Sequence, residues 1–359
     1  MSKDNASFKI GTRIISDNDP TYFIADIAAS HDGDLSRAID LIYLCKERGA
    51  DAAKFQHFEA KTIVSDFGFK SLGSQKSHQA KWKKSVYEVY DDASVPFEWT
   101  SKLKEAADDA KIDFFTSPYS LDLVDRVEPY VCAYKIGSGD ITWHEIIQHI
   151  ASKQKPYILA TGASSFDEVL DAVQAGYAIN KNFCLMQCNT NYTASMENFN
   201  YINLRVLDLF KKEFPEIILG LSDHTPGHTT VLGAVSMGAR VIEKHFTDDN
   251  NREGPDHLFS MNPSSWEEMV LRTRELENSF GTGVKRVESN EKETVILQRR
   301  AIAAKFPLKK GDIITNNNTF PLRPIPSDGI PPYDIDKIIG KRLNKDYSEG
   351  EYIKFADLD

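Results

Sequence analysis

Residues 217–247 have the sequence IILGLSDHTPGHTTVLGAVSMGARVIEKHFT and predict a strand, a helix and a second strand in succession. The two apolar runs, residues 217–224 and 241–247, are short and continuous, which is typical of strands buried on both faces of a parallel sheet. Residues 229–237 lie between them and have a helix-like pattern. Polar residues lie toward the end of each run. This unit therefore predicts a parallel sheet with a helix between two strands, and it also predicts that functional side chains meet at the carboxyl-terminal edge of that sheet.

The same alternation of apolar runs and amphipathic stretches extends from residue 20 to about residue 282. The predicted strands are residues 22–28, 52–58, 113–117, 133–137, 156–161, 183–189, 217–224 and 241–247. The predicted helices that follow them are residues 35–48, 97–110, 121–127, 143–152, 165–175, 201–213, 229–237 and 263–280. Eight such units predict a closed (β/α)8 TIM barrel. The turn after the first strand, residues 29–34, has too few glycines for the dinucleotide site of an open sheet.

Beyond the barrel the pattern changes. Residues 283–298 are charged and polar and are predicted to be a linker, which leaves residues 1–282 as the barrel domain. Residues 299–359 contain short β-like pieces between turn signals and predict a small β-rich domain. Residues 59–96, between the second strand and its helix, are too long for an ordinary connection. Their aromatic and lysine side chains predict an ordered excursion over the barrel mouth.

Composition excludes several classes of function. The 359 residues carry a formal net charge of -10, which argues against general nucleic-acid binding. No apolar run approaches the roughly 18 residues needed to span a bilayer, and the N-terminal stretch lacks the apolar core of a secretion signal. The four cysteines lie in apolar stretches and are predicted to be buried, reduced thiols, so we expect a cytoplasmic protein.

Polar residues cluster at the predicted carboxyl ends of the strands, where TIM-barrel active sites lie. From the first to the eighth strand, these residues are Asp26, Lys54, Gln56, Thr116, Ser117, Lys135, Ser138, Asp140, Asn189, Thr190, Asn191, Tyr192, Ser222, Asp223, His224, Glu243, Lys244 and His245. The strand bodies are apolar, so this concentration of polar residues predicts a functional site at the barrel mouth.

Lys54 and Lys135 end otherwise apolar strands. A buried lysine is costly unless an anion accompanies it, so two lysines in one mouth predict a phosphate or carboxylate ligand. The alternative is an internal salt bridge to Asp26, Asp140 or Glu243. The Gly137-Ser138-Gly139 turn after Lys135 offers backbone amides and a hydroxyl to a phosphate.

His224 and His245 each end one of two adjacent strands. Two imidazoles that enter one pocket and leave positions open for water and substrate predict a catalytic metal site. The alternative is that each histidine only satisfies backbone hydrogen bonds at the barrel rim. His31, His57 and His257 are further candidates for the barrel mouth, whereas His78, His144 and His149 are predicted on helix or loop surfaces.

These strand ends resemble the motifs of the sialic acid (N-acetylneuraminate) synthase family. The resemblance covers nearly the whole chain and rests on several motifs that occur in the same order. They are residues 26–34 (DIAASHDGD), 53–56 (AKFQ), 134–140 (YKIGSGD), 220–225 (GLSDHT) and 241–247 (VIEKHFT). The tail, including Leu322-Arg323-Pro324 and Gly329-Ile330, is similar to the antifreeze-like (SAF, β-clip) domain of the same enzymes.

The resemblance implies condensation of phosphoenolpyruvate with an N-acylated hexosamine of the N-acetylmannosamine type, giving a nonulosonic (sialic) acid and phosphate. It implies Mn²⁺ or Mg²⁺ on His224 and His245, and a domain-swapped homodimer in which Arg323 reaches the sugar in the partner's barrel. The catalytic set would be Asp26, Lys54, Lys135, Asp140 and Glu243. The substrate-binding set would be Gln56, Thr116, Ser138, Thr190, Tyr192, Ser222, Asp223 and Arg323.

Four departures from the family motifs lie where the sugar should bind. Asp26 and Asp140 stand where the family has or commonly has glutamate, residues 189–193 differ in register, and the stretch from Arg323 to Gly329 is longer. A legionaminate- or pseudaminate-type synthase that uses a diacetamido sugar therefore stays open. More distant alternatives are a metal-dependent aldolase and a non-catalytic carbohydrate-binding protein.

Overall fold

The computed structural model describes residues 6–73, 79 and 82–359. Residues 74–78, 80 and 81 of the predicted excursion, including His78, lie outside the described residues. The chain forms two compact units, Met1–Phe280 and Gly281–Asp359.

The first unit is a closed barrel of eight parallel strands, which confirms the predicted (β/α)8 TIM-barrel fold. A short hairpin, β1 (Ser7–Ile10) and β2 (Arg13–Ser16), precedes the barrel. The barrel strands are β3 (Tyr22–Asp26), β4 (Ala52–His57), β5 (Asp113–Pro118), β6 (Tyr134–Ile136), β7 (Tyr157–Ala160), β8 (Phe183–Cys188), β9 (Ile218–Asp223) and β10 (Val241–His245). Their ends differ from the predicted ones by at most two residues, because continuous apolar runs mark strands that helices cover on the outside.

Helices follow the strands. They are α1 (Leu35–Glu47), α2 (Ala60–Ile63), α3 (Asp66–Ser71), α4 (Val86–Ala93), α5 (Thr100–Ala110), α6 (Leu121–Val127), α7 (His144–Ser152), α8 (Phe166–Tyr177), α9 (Val206–Glu213), α10 (Thr229–Ser236) and α11 (Pro263–Ser279). All but α2, α3 and α4 belong to the layer around the barrel. Side-chain caps begin several of them: Asp34 accepts hydrogen bonds from the first turn of α1, and Ser165 and Glu168 form a capping box on α8. None of the helices in the described part of the chain has both the length and the apolar character needed to cross a bilayer.

The β1–β2 hairpin, which the sequence did not predict, packs against the amino-terminal end of the barrel. Phe8, Ile10 and Ile15 are buried in the barrel core. Arg13 pairs with Asp51 at 2.6 Å just before β4. The hairpin therefore shields the end of the core that lies opposite the strand carboxyl ends.

The long connection between β4 and α5 contains three helices, α2, α3 and α4. Its described residues therefore agree with the predicted ordered excursion. Phe58, at the end of β4, packs against Tyr90 of α4 with ring centroids 5.4 Å apart and against Tyr119 at 6.0 Å. These contacts bring α4 against the carboxyl-terminal mouth of the barrel.

The second unit has a small core of its own. Helix α12 (Lys292–Gln298) lies within the stretch predicted as a linker, and the strands β11 (Ala301–Ala304) and β12 (Thr319–Leu322) pair antiparallel. Buried side chains include Ile302, Ile314, Ile330, Leu343 and Ile353. The β-rich character predicted for residues 299–359 is confirmed.

Candidate active site

Strand alternation decides which side chains enter the barrel. On β9 and β10, Ser222 and Glu243 point inward as a registered pair, and the next pair, Asp223 and Lys244, points outward. His245 follows on β10, points inward again and lies level with Asp26 of β3. The carboxyl ends of neighbouring strands thus deliver one polar layer into the mouth.

Two lysines and two carboxylates form the floor of the site. Lys54 Nζ lies 2.6 Å from Asp26 Oδ2 and 3.4 Å from Glu243 Oε1. Lys135 Nζ donates to the same Glu243 oxygen at 2.9 Å. All four side chains are at most 5% exposed, so their charges are compensated locally rather than by solvent.

Burial and charge act in opposite directions on these groups. Burial raises the pKa of Asp26, and Lys54 and Gln56 offset only part of that rise. Burial also opposes ionisation of Glu243, but Lys135 and Lys54 hold the pKa of Glu243 below its ordinary value. The Glu243 Oε2 atom is buried without a hydrogen-bond partner among the described residues. The floor therefore has an unused acceptor and two cations for a polar ligand.

His224 and His245 lie side by side, with ring centroids 5.4 Å apart. Burial lowers the pKa of His245 to about 4, and burial together with His245 lowers the pKa of His224. Both rings are therefore neutral near pH 7. His224 Nδ1 donates to the Asn189 carbonyl at 2.8 Å, which leaves the Nε2 lone pair available to a cation.

The donor set suits a divalent cation with open positions. Two neutral imidazoles are good ligands for transition metals, and the buried Nδ1 of His245 has no hydrogen-bond partner in the described part of the chain. No group of three or more His, Cys, Asp or Glu side chains able to hold a metal occurs among the described residues. Other ligands would have to be water or substrate oxygens.

Two connected cavities open above this layer. A narrow one of about 40 Å³ is lined by the ion pairs, both histidines, Ser138 and Ser222. A wider one of about 400 Å³ shares Gln56, Ser138 and His245 with it and opens outward. The outer wall is formed by Phe58, Ile63, Trp82, Val89 and Tyr90, whereas Tyr119 and Tyr192 line both cavities. The site can therefore hold a small anion below and a larger ligand above.

Asp140 lines the wider cavity at the end of a short turn, Ser138–Asp140. Burial raises the pKa of Asp140 to about 6. A carboxyl group with such a pKa can accept or release a proton near neutral pH.

The structure brings most of the predicted site residues together. Those that line one or both cavities are Asp26, Lys54, Gln56, Lys135, Ser138, Asp140, Tyr192, Ser222, His224, Glu243 and His245. The alternative, internal salt bridges, is also present: Lys54 pairs with Asp26, and Lys135 pairs with Glu243. That pairing does not exclude an anion, because an ammonium group has three donors.

Four predicted residues do not line either cavity. Thr116 donates to the Phe55 carbonyl and contacts His57. Thr190 lies half-buried beside Gly162. Asp223 points outward and pairs with Lys244 and with two threonines. Arg323 belongs to the second unit, where it is exposed.

Several lining residues were not predicted as site residues. Tyr119 follows β5, Cys188 ends β8, and Asp256 comes from the loop after β10. Ser117, near the end of β5, belongs to the polar strand-end residues without a predicted role, and it lines the narrow cavity. Asp256 lies eleven residues beyond its strand, so only the folded loop shows that its Oδ2 accepts from the Ala29 amide at 3.0 Å.

Comparison with known proteins places the chain among sugar-acid synthases. A model of the NeuB family matches residues 41–285, and a model of the SAF domain matches residues 299–359. The chain is 36% identical over 344 residues to N,N'-diacetyllegionaminic acid synthase of Legionella pneumophila, with 94% of each chain covered. It is 30% identical over 325 residues to the human N-acetylneuraminate-9-phosphate synthase, covering 90% of this chain and 89% of that one.

A solved structure shows the same likeness. The N-acetylneuraminic acid synthetase from Leptospira borgpetersenii aligns with a TM-score of 0.70 and 26% identity. The alignment covers 81% of this chain and 95% of that one.

Proposed function

The chain belongs to the NeuB family, and on that premise we propose that it condenses phosphoenolpyruvate with an N-acylated hexosamine to form a nonulosonic acid and phosphate. It is an enzyme of the N-acetylneuraminate synthase type. The observation that carries the proposal is the pair of connected cavities, one lined by two buried lysines and the other of a size that suits a sugar.

The narrow cavity suits phosphoenolpyruvate, which carries a phosphate and a carboxylate. Lys135 has a single hydrogen bond among the described residues, to Glu243, so further donors remain for an anion. Ser138 Oγ accepts a hydrogen bond from the Gly162 amide at 2.9 Å, and its hydroxyl, which contacts the Cys188 side chain, can rotate to donate to a ligand oxygen. These donors lie in a buried site, where their attraction for an anion is stronger than in water.

The wider cavity suits an acylated amino sugar. Asp140 and Asp256 can accept hydrogen bonds from sugar hydroxyls, while Tyr90 and Trp82 add aromatic surface for the apolar side of a sugar. The volume of about 400 Å³ lies within the usual range for small-molecule sites, roughly 300–1,000 Å³.

We propose that His224 and His245 hold a divalent cation, Mn²⁺ or Mg²⁺. Such a cation, when bound, supplies Lewis-acid polarisation of the aldehyde oxygen of the open-chain sugar. The pair of neutral imidazoles favours Mn²⁺ over Mg²⁺, since Mg²⁺ is usually bound by oxygen ligands.

The protein groups have separate roles in the reaction. The enol carbon of phosphoenolpyruvate forms a bond to the sugar aldehyde carbon, water adds to the phosphate-bearing carbon, and the bond from that carbon to the phosphate oxygen breaks. Lys54 and Lys135 stabilise the charge on the departing phosphate. Asp26, whose pKa burial raises, is a candidate proton carrier, held by Lys54 and by Gln56 at 2.9 Å.

A diacetamido acceptor, as in a legionaminate-type synthase, is the second candidate. Two observations support it beside an N-acetylmannosamine-type acceptor. The Legionella relative has the higher identity of the two sequence relatives above. The outer wall of the wider cavity also includes apolar Phe58, Ile63 and Val89, which suit a sugar with fewer free hydroxyls.

We further propose that the protein acts as a domain-swapped homodimer in the cytoplasm. Arg323 is exposed in the SAF unit and would bind the acylamino group of the sugar in the partner's barrel. The four cysteines are unpaired, which is typical of a reducing compartment.

The test is a phosphate-release screen with phosphoenolpyruvate, Mn²⁺ and a panel of mono- and diacetamido hexoses, with mass analysis of the sugar product. Phosphate and a nonulosonic acid should form in equal amounts with at least one acceptor. An aldolase would give a sugar product without phosphate, and a carbohydrate-binding protein would give neither.

A further inference from the structure

The loop after β10 is folded around one histidine that lines neither cavity. His257 begins the short turn His257–Phe259, and its ring is completely buried. Its Nε2 lies 2.8 Å from Asp32 Oδ1, and its Nδ1 lies 2.7 Å from Thr247 Oγ1. Because a carboxylate only accepts, Nε2 donates to Asp32, and the ring joins the loop after β10 to the loop after β3.

The carboxylate that anchors His257 is itself held in place. Arg252 Nε donates to Asp32 Oδ2 at 2.9 Å, and Arg37 Nε lies 3.2 Å from the same oxygen. Arg37 also makes a bidentate pair with Asp248 at 2.6 and 2.5 Å. These ion pairs join the same two loops without His257, so loss of the imidazole should not separate the loops or unfold the barrel.

The loop backbone closes tightly over the imidazole. A Cβ on Gly254 would lie 2.6 Å from His257 Cδ2, so only glycine fits there without a shift of the ring. The residue before His257, Asp256, lines the wider cavity, accepts from the Ala29 amide at 3.0 Å and lies 3.8 Å from His245 Nδ1. The imidazole thus fixes the backbone from which the Asp256 carboxylate reaches the cavity.

We propose that His257 is a positioning residue, which fixes Asp256 at the wider cavity and thereby sets the affinity for the sugar acceptor. This inference rests on the proposed function, since it takes the wider cavity as the acceptor site. Without the link to Asp32, the loop has more conformations, and binding of the acceptor must restrict them. The narrow anion cavity includes neither His257 nor Asp256, so binding of phosphoenolpyruvate is independent of the link.

The experiment compares His257→Leu and His257→Gln with His149→Leu as the matched control. His149 Nε2 makes the same 2.8 Å contact to an aspartate, Asp125, but it is partly exposed on α7 and lines neither cavity. His257→Leu should raise the KM for the acceptor about tenfold, the effect of weakening one hydrogen bond to a charged group. The KM for phosphoenolpyruvate should stay unchanged, His257→Gln should recover most of the acceptor affinity through its amide donor, and His149→Leu should match the unaltered enzyme.

A double variant tests whether His257 acts through Asp256. In the Asp256→Ala background, His257→Leu should raise the acceptor KM little further, because the two changes remove the same contact. The inference is overturned if the two effects multiply, if both substrates lose affinity alike, or if the acceptor KM does not change. If His257→Leu does not fold, the acceptor KM of His257→Gln is compared with that of the shorter His257→Asn. Only glutamine is long enough to reach Asp32, so only His257→Asn should show the raised KM. Absence of phosphate release by the unaltered enzyme would instead refute the proposed function.

Discussion

Lys135→Met removes the cation that we assign to the phosphate of phosphoenolpyruvate. The side chain is 3% exposed and donates to Glu243 at 2.9 Å, and methionine has a similar length without the charge. A hydrogen bond from a charged donor contributes about 1.5–3 kcal/mol, so the KM for phosphoenolpyruvate should rise about 10- to 150-fold. The KM for the sugar should change far less.

The same substitution should lower stability, because it leaves Glu243 with less compensation. Breaking a buried ion pair typically costs about 3–5 kcal/mol. Lys54 remains 3.4 Å from Glu243 and Ser222 remains at 3.5 Å, so we expect a loss near 3 kcal/mol, the lower end of that range. The pKa of Glu243 should also rise, since Lys135 is the larger of the two cationic causes that hold it down.

Steady-state kinetics with each substrate varied in turn, together with denaturant melts, separate the two effects. Lys155→Met is the matched control, because Lys155 is partly buried and binds the Glu128 and Val131 carbonyls at the opposite end of the barrel. The control should lose stability and keep both KM values. If Lys135→Met changed only the KM for the sugar, or changed neither, the assignment of Lys135 to the phosphate would be refuted.

Three further predictions concern the metal, the acid and the tail. Chelation should abolish activity, and His224→Ala or His245→Ala should prevent Mn²⁺ binding measured by calorimetry while circular dichroism stays unchanged; full turnover by protein shown to be metal-free would contradict this. Asp140→Asn should stabilise the protein at pH 8 by up to about 3 kcal/mol. The reason is that burial raises the Asp140 pKa from 3.8 to about 6, so the folded state loses stability as pH rises between those values. A denaturant melt that gave equal stabilisation at pH 3.5 would contradict this prediction. Arg323→Ala and His224→Ala should each be inactive, and mixing them under subunit exchange should restore phosphate release; no recovery with heterodimers confirmed by native mass spectrometry would exclude the swapped arrangement.

The barrel could be predicted from the sequence because its signal is local. Runs such as residues 183–189 and 241–247 are apolar throughout, and each is followed by a helix with an amphipathic pattern. Side chains at the strand ends, such as Asp26 and His245, follow from the strand positions alone, since carboxyl ends meet at one face of the barrel.

The features that the sequence did not predict depend on which way a side chain points from its strand and on contacts between residues far apart in the sequence. Asp223 stands at a strand end like its neighbours, but alternation turns it outward toward Lys244, and a shift of one residue decides the face. Asp256 comes from a loop whose path is determined by tertiary contacts such as the hydrogen bond to the Ala29 amide. His257 of the same loop was a candidate for the barrel mouth, but it is buried against Asp32 and lines neither cavity. The strands of the β1–β2 hairpin have four residues each, too few for their alternation of apolar and polar residues to be distinguished from an irregular polar segment.

The central claim is that the enzyme breaks the bond between carbon and oxygen in phosphoenolpyruvate while it joins the enol carbon to a sugar. The direct measurement uses phosphoenolpyruvate with ¹⁸O in the oxygen that bridges carbon and phosphorus, together with Mn²⁺ and the best acceptor of the panel. Mass spectrometry should find the label in the released phosphate, in an amount equal to the nonulosonic acid formed. Unlabelled phosphate, or a sugar product without any phosphate, would contradict the account.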